Sequence, residues 1–310
     1  MNRFILTFAA AALLAGCAPG MQRHAPPPPA TLKVASWKLE HLAEHPGTGC
    51  RPRSEPDYRE LARHAQTLDA DVIAFQEVES EAAAARVFDP ARYDIIMSQR
   101  PASRRGGGCY GVPGQQIRHQ GVGFAIRKGV SWIRNPDLGA LALGNPDLRW
   151  GVDITLTGRT PLRLLAIHLK SGCNSGRAPS DADCPVLFAQ LPVLESWIEA
   201  RASRGEAFAV LGDWNRRIAS HGDAFFADLN DGEPGETALT LASGQRAAAC
   251  KVRYREFIDH IATGTRATRQ AVPGSFEEFT YGGAEVSHPS DHCPISLRFN
   301  RQADARNIDK

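Results

Sequence analysis

The sequence lacks an excess of charge of either sign, because 36 Lys and Arg residues nearly balance 34 Asp and Glu residues and leave a formal net charge of +2. This balance excludes a general basic coat, so any affinity for nucleic acid or acidic lipid would have to be local. Beyond residue 30 the chain also lacks internal repeats and a second linker, which argues for one domain. We predict that domain over residues 31–300, followed by a polar tail at 301–310. A chain of 310 residues with 43% hydrophobic content can bury one large core.

The N-terminus has a short basic segment, "MNR", followed by the apolar run "FILTFAAAALLAG", which is too short to span a membrane comfortably. This pattern predicts an export signal over residues 1–16. The run ends in "LAGC", which resembles the bacterial lipobox, so Cys17 is expected to be acylated and to become the first mature residue. The proline-rich residues 17–30 would then form an extended tether. The expected location is the cell envelope, lipid-anchored on the periplasmic side of a bacterial membrane, with the outer membrane favoured. The alternative is an ordinary signal peptide with Cys17 incidental.

Removal of Cys17 from the count of seven cysteines leaves six, and an exported chain meets an oxidising compartment where disulfides form. Cys173 and Cys184 bracket a polar loop that a disulfide would close. Cys293 lies in the apolar run "HCPISLRF" and is expected to be a buried free thiol. The pairings predicted are Cys173 with Cys184 and, on less evidence, Cys50 with Cys109, which leaves Cys250 and Cys293 unassigned.

Short apolar runs alternate with helical periods along the domain, which predicts an α/β fold. Two helices are predicted, at about 57–68 and 185–202, from leucine and alanine positions in helical register. The strand candidates are rich in β-branched and aromatic residues. They read "LKVASW", "DVIAFQEV", "VGFAIRK", "GVDITLT", "LRLLAIHL", "EAFAVLGD", "EFIDHIAT" and "CPISLRF".

Polar side chains stand where five of these apolar runs end or begin. Each one singly has an ordinary explanation, as a turn residue, a helix cap or a core histidine. Five such positions in one domain predict a functional site at one rim of a sheet, where α/β proteins build their sites. The residues concerned are Glu77, His168, Asp213, Asn215, Asp259, His260, Asp291 and His292.

The segments "FQEV", "HLKS", "GDWN", "IDHI" and "SDHCPI", in this order, resemble the endonuclease/exonuclease/phosphatase family over about residues 31–300. Singly these motifs are short, but their order and spacing together are specific. The resemblance implies a DNase I-like fold, which is a four-layer α/β sandwich of two packed mixed β-sheets flanked by helices. It also implies hydrolysis of phosphate esters with a divalent cation, and we expect a monomer.

Hydrolysis of a phosphodiester needs an activated water and groups that stabilise the negative charge on the phosphoryl oxygens. By similarity, Asp213 orients or deprotonates the attacking water, and Asn215 holds that water or a phosphate oxygen. Asp259 resembles the carboxylate that orients His292, whose imidazolium would face a phosphoryl oxygen or whose ring would take the water's proton. His168 would bind phosphate or assist the leaving group.

The cation implied by the resemblance is Mg²⁺, with Mn²⁺ or Ca²⁺ as alternatives, and Glu77 and Asp291 are its expected ligands. Lys38 departs from the family pattern, which has Asn at this strand end. An ammonium there is expected to weaken the metal site, and the favoured expectation is a working hydrolase with weakened metal binding. Lys38 avoids the ion if it swings outward, or it faces the substrate phosphate itself and replaces part of the metal's charge. A third possibility is a non-catalytic, tethered protein that binds phosphate ligands.

The substrate class is predicted less directly, and a phosphodiester, nucleic acid first, is favoured. Arg216 follows Asn215 directly and is assigned to substrate binding with Lys38, and the loop "RPASRRGGGCYG" carries Arg100, Arg104 and Arg105. A sphingomyelinase-like activity is the alternative, but only "VSWIRNPDLGALALG" offers an apolar hairpin for a lipid surface.

A zinc protease is a separate possibility, because "HLAEH" at 41–45 matches the motif H-x-x-E-H. That motif works only on a helix. Here it follows a strand pattern and runs into Pro46 and Gly47, which leaves hardly one turn to align His41 with His45. The match is therefore expected to be accidental.

Overall fold

The computed structural model describes residues 31–102, 107–175, 183–233 and 237–301. The predicted export signal, Cys17, the tether, Arg104, Arg105 and nearly all of the C-terminal tail lie outside the described residues. Within the described part of the chain, no helix combines the length and apolar character needed to cross a membrane.

Two six-stranded sheets form the centre of the molecule. With strands numbered in chain order, the first sheet contains β13 (Glu277–Glu278), β14 (Ile295–Asn300), β1 (Thr31–Leu42), β2 (Val72–Val78), β6 (Gly121–Arg127) and β3 (Tyr93–Met97), in that spatial order. The second contains β11 (Leu239–Leu241), β12 (Asp259–Gly264), β10 (Phe208–Asp213), β9 (Leu162–His168), β8 (Val152–Leu156) and β7 (Trp132–Arg134). Both sheets are mixed, because β1 pairs parallel with β2 and β9 parallel with β10 while the other pairs are antiparallel.

The remaining elements are short connectors and outer helices. They are β4 (Gly108–Cys109), β5 (Val112–Gln116), α1 (Glu55–Leu68), α2 (Glu81–Ala85), α3 (Asp183–Ala202), α4 (Ala224–Leu229), α5 (Thr265–Gln270) and two 3-10 turns at Gly139–Ala142 and Glu285–Ser287. Both predicted helices are present as α1 and α3, each extended at its N-terminus by two residues. All eight predicted strands are present, while β3, β4, β5, β7, β11 and β13 were not predicted.

Alternation along the strands explains the four layers, since successive side chains of a strand point to opposite faces of its sheet. In β2, Val72 and Ala74 belong to the core between the two sheets, whereas Ile73 and Phe75 pack in the core that contains α1. The second sheet repeats this division, with one face toward the first sheet and the other against α3. The predicted four-layer sandwich is therefore confirmed.

The two long helices pack as the sequence pattern predicts, although each begins two residues earlier. The backbone N–H of Ser54 donates to the Asp57 carboxylate at 2.7 Å, which stabilises the first turn of α1 beside Pro56. In α3, the buried face includes Leu187, Leu191, Leu194 and Ile198. Both helices thereby cover a sheet with their apolar faces.

Three disulfides join the six described cysteines. The predicted pairs Cys173–Cys184 and Cys50–Cys109 are confirmed. The expectation of a free thiol at Cys293 was wrong, because Cys293 bonds to Cys250 across a Cα–Cα distance of 5.7 Å. Burial of Cys293 is real, at 5% exposure, but burial does not distinguish a thiol from a disulfide. This third disulfide joins the loop that contains Cys250 to Cys293, the residue that follows His292.

Candidate active site

Strand register brings the polar strand ends of the second sheet side by side. Asp213, the last residue of β10, lies opposite His168 on parallel β9 and opposite Asp259 on antiparallel β12. Gly212 permits this close approach, because a Cβ there would lie 2.0 Å from the carbonyl oxygen of Ile167. Three candidate residues thus share one edge of the sheet.

Asp213 is fully buried, and its two carboxylate oxygens have different surroundings. Oδ1 accepts the backbone N–H of Asn215 at 2.8 Å, whereas Oδ2 has no hydrogen-bond partner. Burial raises the pKa of Asp213 to about 7. Nε2 of His168 lies 3.6 Å from the free oxygen. A buried carboxylate with an unpartnered oxygen and a pKa near neutrality is suited to accept a proton from water.

His292 and Asp259 form a tight pair next to Asp213. Nδ1 of His292 lies 2.6 Å from Oδ2 of Asp259. Burial alone would lower the pKa of His292, but the Asp259 carboxylate raises it to about 9. One possible ligand atom from each of these residues and from Asp213 lies within 4.8 Å of the other two. At neutral pH His292 is therefore an imidazolium, which favours Asp213 over His292 as the base.

Two aromatic side chains that no sequence motif indicates hold the backbone of His292. Tyr281 donates its hydroxyl to the carbonyl of His292 at 2.6 Å, and Trp37 donates its indole N–H to the same hydroxyl at 2.6 Å. Tyr281 and Trp37 are 244 residues apart, so sequence spacing offered no signal.

His168 is buried and electrically neutral. Burial lowers its pKa well below the ordinary value, and the nearby cations Arg149 and Lys38 lower it further. Nδ1 has no partner, while Nε2 faces the carboxylates of Asp213 and Glu77. This arrangement favours the tautomer with the proton on Nε2, because an unpaired buried N–H at Nδ1 would cost more.

Glu77, the residue before the last of β2, has a strained backbone conformation with φ of 59°. Its Oε2 accepts the backbone N–H of His41 at 3.0 Å. Residues Glu40, His41 and Asn215 also have positive φ, so four of the six such non-glycine residues among those described lie around the site. Strain of this kind tends to gather at functional sites, but a sequence pattern does not reveal it.

Lys38 lies between the two carboxylates predicted to hold a metal. Its Nζ is 2.8 and 2.9 Å from the two oxygens of Asp291 and 3.5 Å from Oε1 of Glu77. Burial would lower the pKa of Lys38, but these carboxylates raise it above its ordinary value. Likewise burial would raise the pKa of Asp291, and Lys38 instead holds it well below the ordinary value. Lys38 is therefore a buried, charged ammonium.

A divalent ion does not fit this donor set as it stands. Both oxygens of Asp291 bind Lys38, and Glu77 is shared between Lys38 and the N–H of His41. At 4 Å and an effective dielectric of ~20, two unit charges repel by about 4 kcal/mol, and a divalent ion beside an ammonium by about twice that. The roles of Glu77 and Asp291 as metal ligands stay predictions, and in this arrangement both carboxylates form ion pairs with Lys38.

The two residues after Trp214 have different surroundings. Asn215 faces the site, and its side-chain amide donates to the carbonyl of Leu169 at 3.0 Å. Arg216 is fully buried, pairs with Asp223 at 2.9 Å and donates to the carbonyl of Cys173 at 3.0 Å. The prediction that Arg216 binds substrate is therefore wrong, because its guanidinium is buried inside the fold.

Other positions singled out in the sequence also have structural roles. His260 is buried, with Nε2 3.1 Å from the carbonyl of Arg216. The H-x-x-E-H segment does not form a zinc helix, because His41 lies within β1 and His45 lies in the exposed bend that follows the strand. Arg149, which the sequence analysis missed, donates to the carbonyls of His168 and Leu169 and fixes the end of β9.

Two cavities border the site. One of about 230 Å³ lies beside His292, Asp259 and Asp291 and reaches Tyr254 and Lys251. The other, of about 470 Å³, includes the cationic side chains Arg100, Arg118, Arg149 and Lys170 in its lining. The segment "VSWIRNPDLGALALG", which was the one candidate for an apolar hairpin, forms the short strand β7 and a 3-10 turn.

Solved structures with the same architecture are similar to this chain at low sequence identity. Truncated TDP2 from Caenorhabditis elegans has a TM-score of 0.58 at 16% identity, over 87% of this chain and 98% of that one. A variant of the 3′ phosphatase NExo from Neisseria, bound to a product DNA hairpin, gives 0.57 at 15%, over 87% and 100%. TDP2 from D. rerio, complexed with a single-strand DNA product, gives 0.57 at 18%, over 88% and 100%. At these identities the likeness establishes a shared fold.

Fold and site together define the class of protein, a DNase I-like α/β-sandwich hydrolase that acts on phosphate esters. A sequence profile for the Endonuclease/Exonuclease/phosphatase family matches residues 36–292, and the chain belongs to this family. The matched range includes every candidate residue from Lys38 to His292. A comparison with curated protein sequences gives no significant match.

Proposed function

We propose that this chain is a phosphodiesterase of the cell envelope, acting as a monomer, with nucleic acid as the first substrate class. The observation that carries the proposal is the unpartnered oxygen of buried Asp213, set beside the Asp259–His292 pair. A phosphodiesterase needs a base and a cationic donor close together, and these residues supply both.

The reaction follows from the protonation states of these groups. The Asp213 carboxylate takes a proton from water as the water oxygen attacks phosphorus, and Asn215 orients that water. The bond from phosphorus to the ester oxygen breaks, and the departing alkoxide takes a proton from solvent in the open cleft. The imidazolium of His292 and the Nε2–H of His168 donate hydrogen bonds to phosphoryl oxygens, where negative charge develops.

The charge of the larger cavity supports a polyanionic substrate. Arg100, Arg118, Arg149 and Lys170 line it together with two carboxylates, Asp147 and Asp183, so cations outnumber anions in the lining. Arg100 donates to the carbonyls of Pro146 and Gln120, and Lys170 pairs with Asp183 at 2.6 Å. Cations in a cleft attract phosphates without reading base sequence. The Neisseria and D. rerio neighbours, whose structures contain DNA products, make DNA the first substrate to test.

The substrate proposal is tested with the full chain, solubilised in detergent, against DNA, RNA, a bis-aryl phosphodiester and sphingomyelin. We expect multiple turnover of the bis-aryl ester and of at least one nucleic acid. Turnover of sphingomyelin alone would identify the lipid-directed alternative. Saturable binding of nucleic acid without turnover of any substrate would identify a non-catalytic binding protein. The Lys38–Asp291 ion pair favours this alternative, because it occupies an expected metal ligand.

A pH profile tests the protonation state of Asp213. With its pKa raised to about 7, the fraction ionised falls tenfold for each pH unit below that value. Because only the carboxylate form accepts a proton, kcat/KM for the bis-aryl ester should rise with unit slope from pH 5 toward 7 and then level. A profile already level at pH 5 would show that this carboxylate need not titrate near neutrality.

We also propose that acylation of Cys17 anchors the protein in a bacterial membrane, on its periplasmic side. The Cys17→Ser variant should lose labelling by a fatty-acid probe and should leave the membrane fraction, while the rate on the bis-aryl ester stays unchanged. Wild-type protein found free in the medium, with its N-terminus beyond residue 17, would contradict the anchor.

A further inference from the structure

The position of Lys38 suggests what supplies positive charge at this site. Lys38 and Glu77 each expose 8% of the side chain, and Asp291 exposes 34%. Two hydrogen bonds join the ammonium of Lys38 to Asp291, and within the described residues its third N–H has only Oε1 of Glu77, 3.5 Å away, as a partner. The ammonium is therefore a fixed cation with one N–H that only a long contact holds.

The backbone holds Lys38 in this place and leaves it little freedom to turn outward. Lys38 pairs in register with Gln76 on β2, and its carbonyl accepts the hydroxyl of Ser290 at 2.6 Å. The buried guanidinium of Arg53 binds the carbonyls of Leu39 and Glu40, which follow directly. A side chain only 8% exposed on so constrained a strand end remains directed at the carboxylates.

The charges explain why this ammonium and a divalent ion exclude each other. Glu77 and Asp291 carry two negative charges, which a divalent ion would balance in the absence of Lys38. With Lys38 present, one negative charge remains and the space between the carboxylates is taken. A neutral residue at position 38 would restore the acidic pair that a hard divalent cation prefers.

We propose that the ammonium of Lys38 replaces the divalent ion as the fixed positive charge of the site, so that hydrolysis proceeds without added metal. The inference rests on the proposed phosphodiesterase function. In the reaction, the third N–H of Lys38 turns from its long contact with Glu77 to a phosphoryl oxygen, donates a hydrogen bond to it and keeps its proton. Water, Asp213 and the departing alkoxide exchange the same atoms and protons as above.

The first test measures the rate of wild-type full chain on the bis-aryl ester in EDTA and with Mg²⁺, Mn²⁺ or Ca²⁺ added. The rate in EDTA should stay within about threefold of the rate with any metal. A fall of tenfold or more in EDTA, restored by metal, would overturn the replacement while leaving the phosphodiesterase proposal intact. Turnover under none of these conditions would count against the phosphodiesterase, and the next measurement then decides the replacement by itself.

The second test measures Mn²⁺ binding by calorimetry and needs no turnover. Wild type and the control Lys33→Asn, which removes another paired lysine of β1, should bind Mn²⁺ at least ~100-fold more weakly than Lys38→Asn. Lys38→Asn should also lose the EDTA-resistant rate and regain turnover with Mn²⁺. Wild type that binds Mn²⁺ as tightly as Lys38→Asn would overturn the proposal. If Lys38→Asn does not fold, tight Mn²⁺ binding by wild type still contradicts the replacement and weak binding supports it.

Discussion

Replacement of Asp213 by Asn is expected to lower kcat on the bis-aryl ester at least ~100-fold, the scale of losing a general base. The amide keeps the shape of the side chain but cannot accept the water's proton. Asn215 would still donate its backbone N–H to the side-chain oxygen, so local geometry should survive. Initial rates at saturating substrate measure the effect, and a thermal melt confirms the fold.

Asp94→Asn provides the matched control, because Asp94 lies on β3 with 46% of its side chain exposed and pairs only loosely with Lys128 at 3.7 Å. Its rate should equal that of wild type. An Asp213→Asn enzyme with full activity would show that the base lies elsewhere, and His292 would then be the first residue to examine.

Replacement of Arg216 by Met is expected to destabilise the protein by about 3–5 kcal/mol, the cost of leaving one member of a buried ion pair without its partner. Asp223 would keep its negative charge in a buried position, where it also accepts the backbone N–H of Phe226. The free energy of unfolding, measured in urea without reductant, gives the loss directly.

The neighbouring residue supplies the control for Arg216. Arg217 pairs with Glu256 at 3.3 Å, with side-chain exposures of 26% and 53%, so Arg217→Met should cost less than about 1 kcal/mol. If Arg216→Met instead keeps wild-type stability and raises KM severalfold, Arg216 contacts substrate as the sequence alone suggested.

The rim of polar residues was predictable because each of its members follows or precedes an apolar strand. That pattern involves only residues that are adjacent in the sequence, so it could be recognised without the structure. The pairing of β9, β10 and β12 then brings His168, Asp213 and Asp259 together. Parallel β9 and β10 end at the same edge of the sheet and antiparallel β12 begins there, which is why the positions of polar residues at strand ends were enough.

Contacts between distant segments were not predictable in the same way. Lys38 and Asp291 are 253 residues apart, and whether Lys38 would swing outward or turn inward depended on the strand end that fixes it. Arg216 was misassigned because position beside Asn215 says nothing about which way a side chain points. The Cys250–Cys293 bridge was missed because an apolar run around Cys293 is equally compatible with a thiol and a disulfide.

The most direct test of the account is a single turnover of the bis-aryl phosphodiester in water enriched in oxygen-18, with both products analysed by mass spectrometry. One labelled oxygen is expected in the phosphomonoester and none in the released aryl alcohol, because water attacks phosphorus. Label in the alcohol, or no product at all, would contradict it.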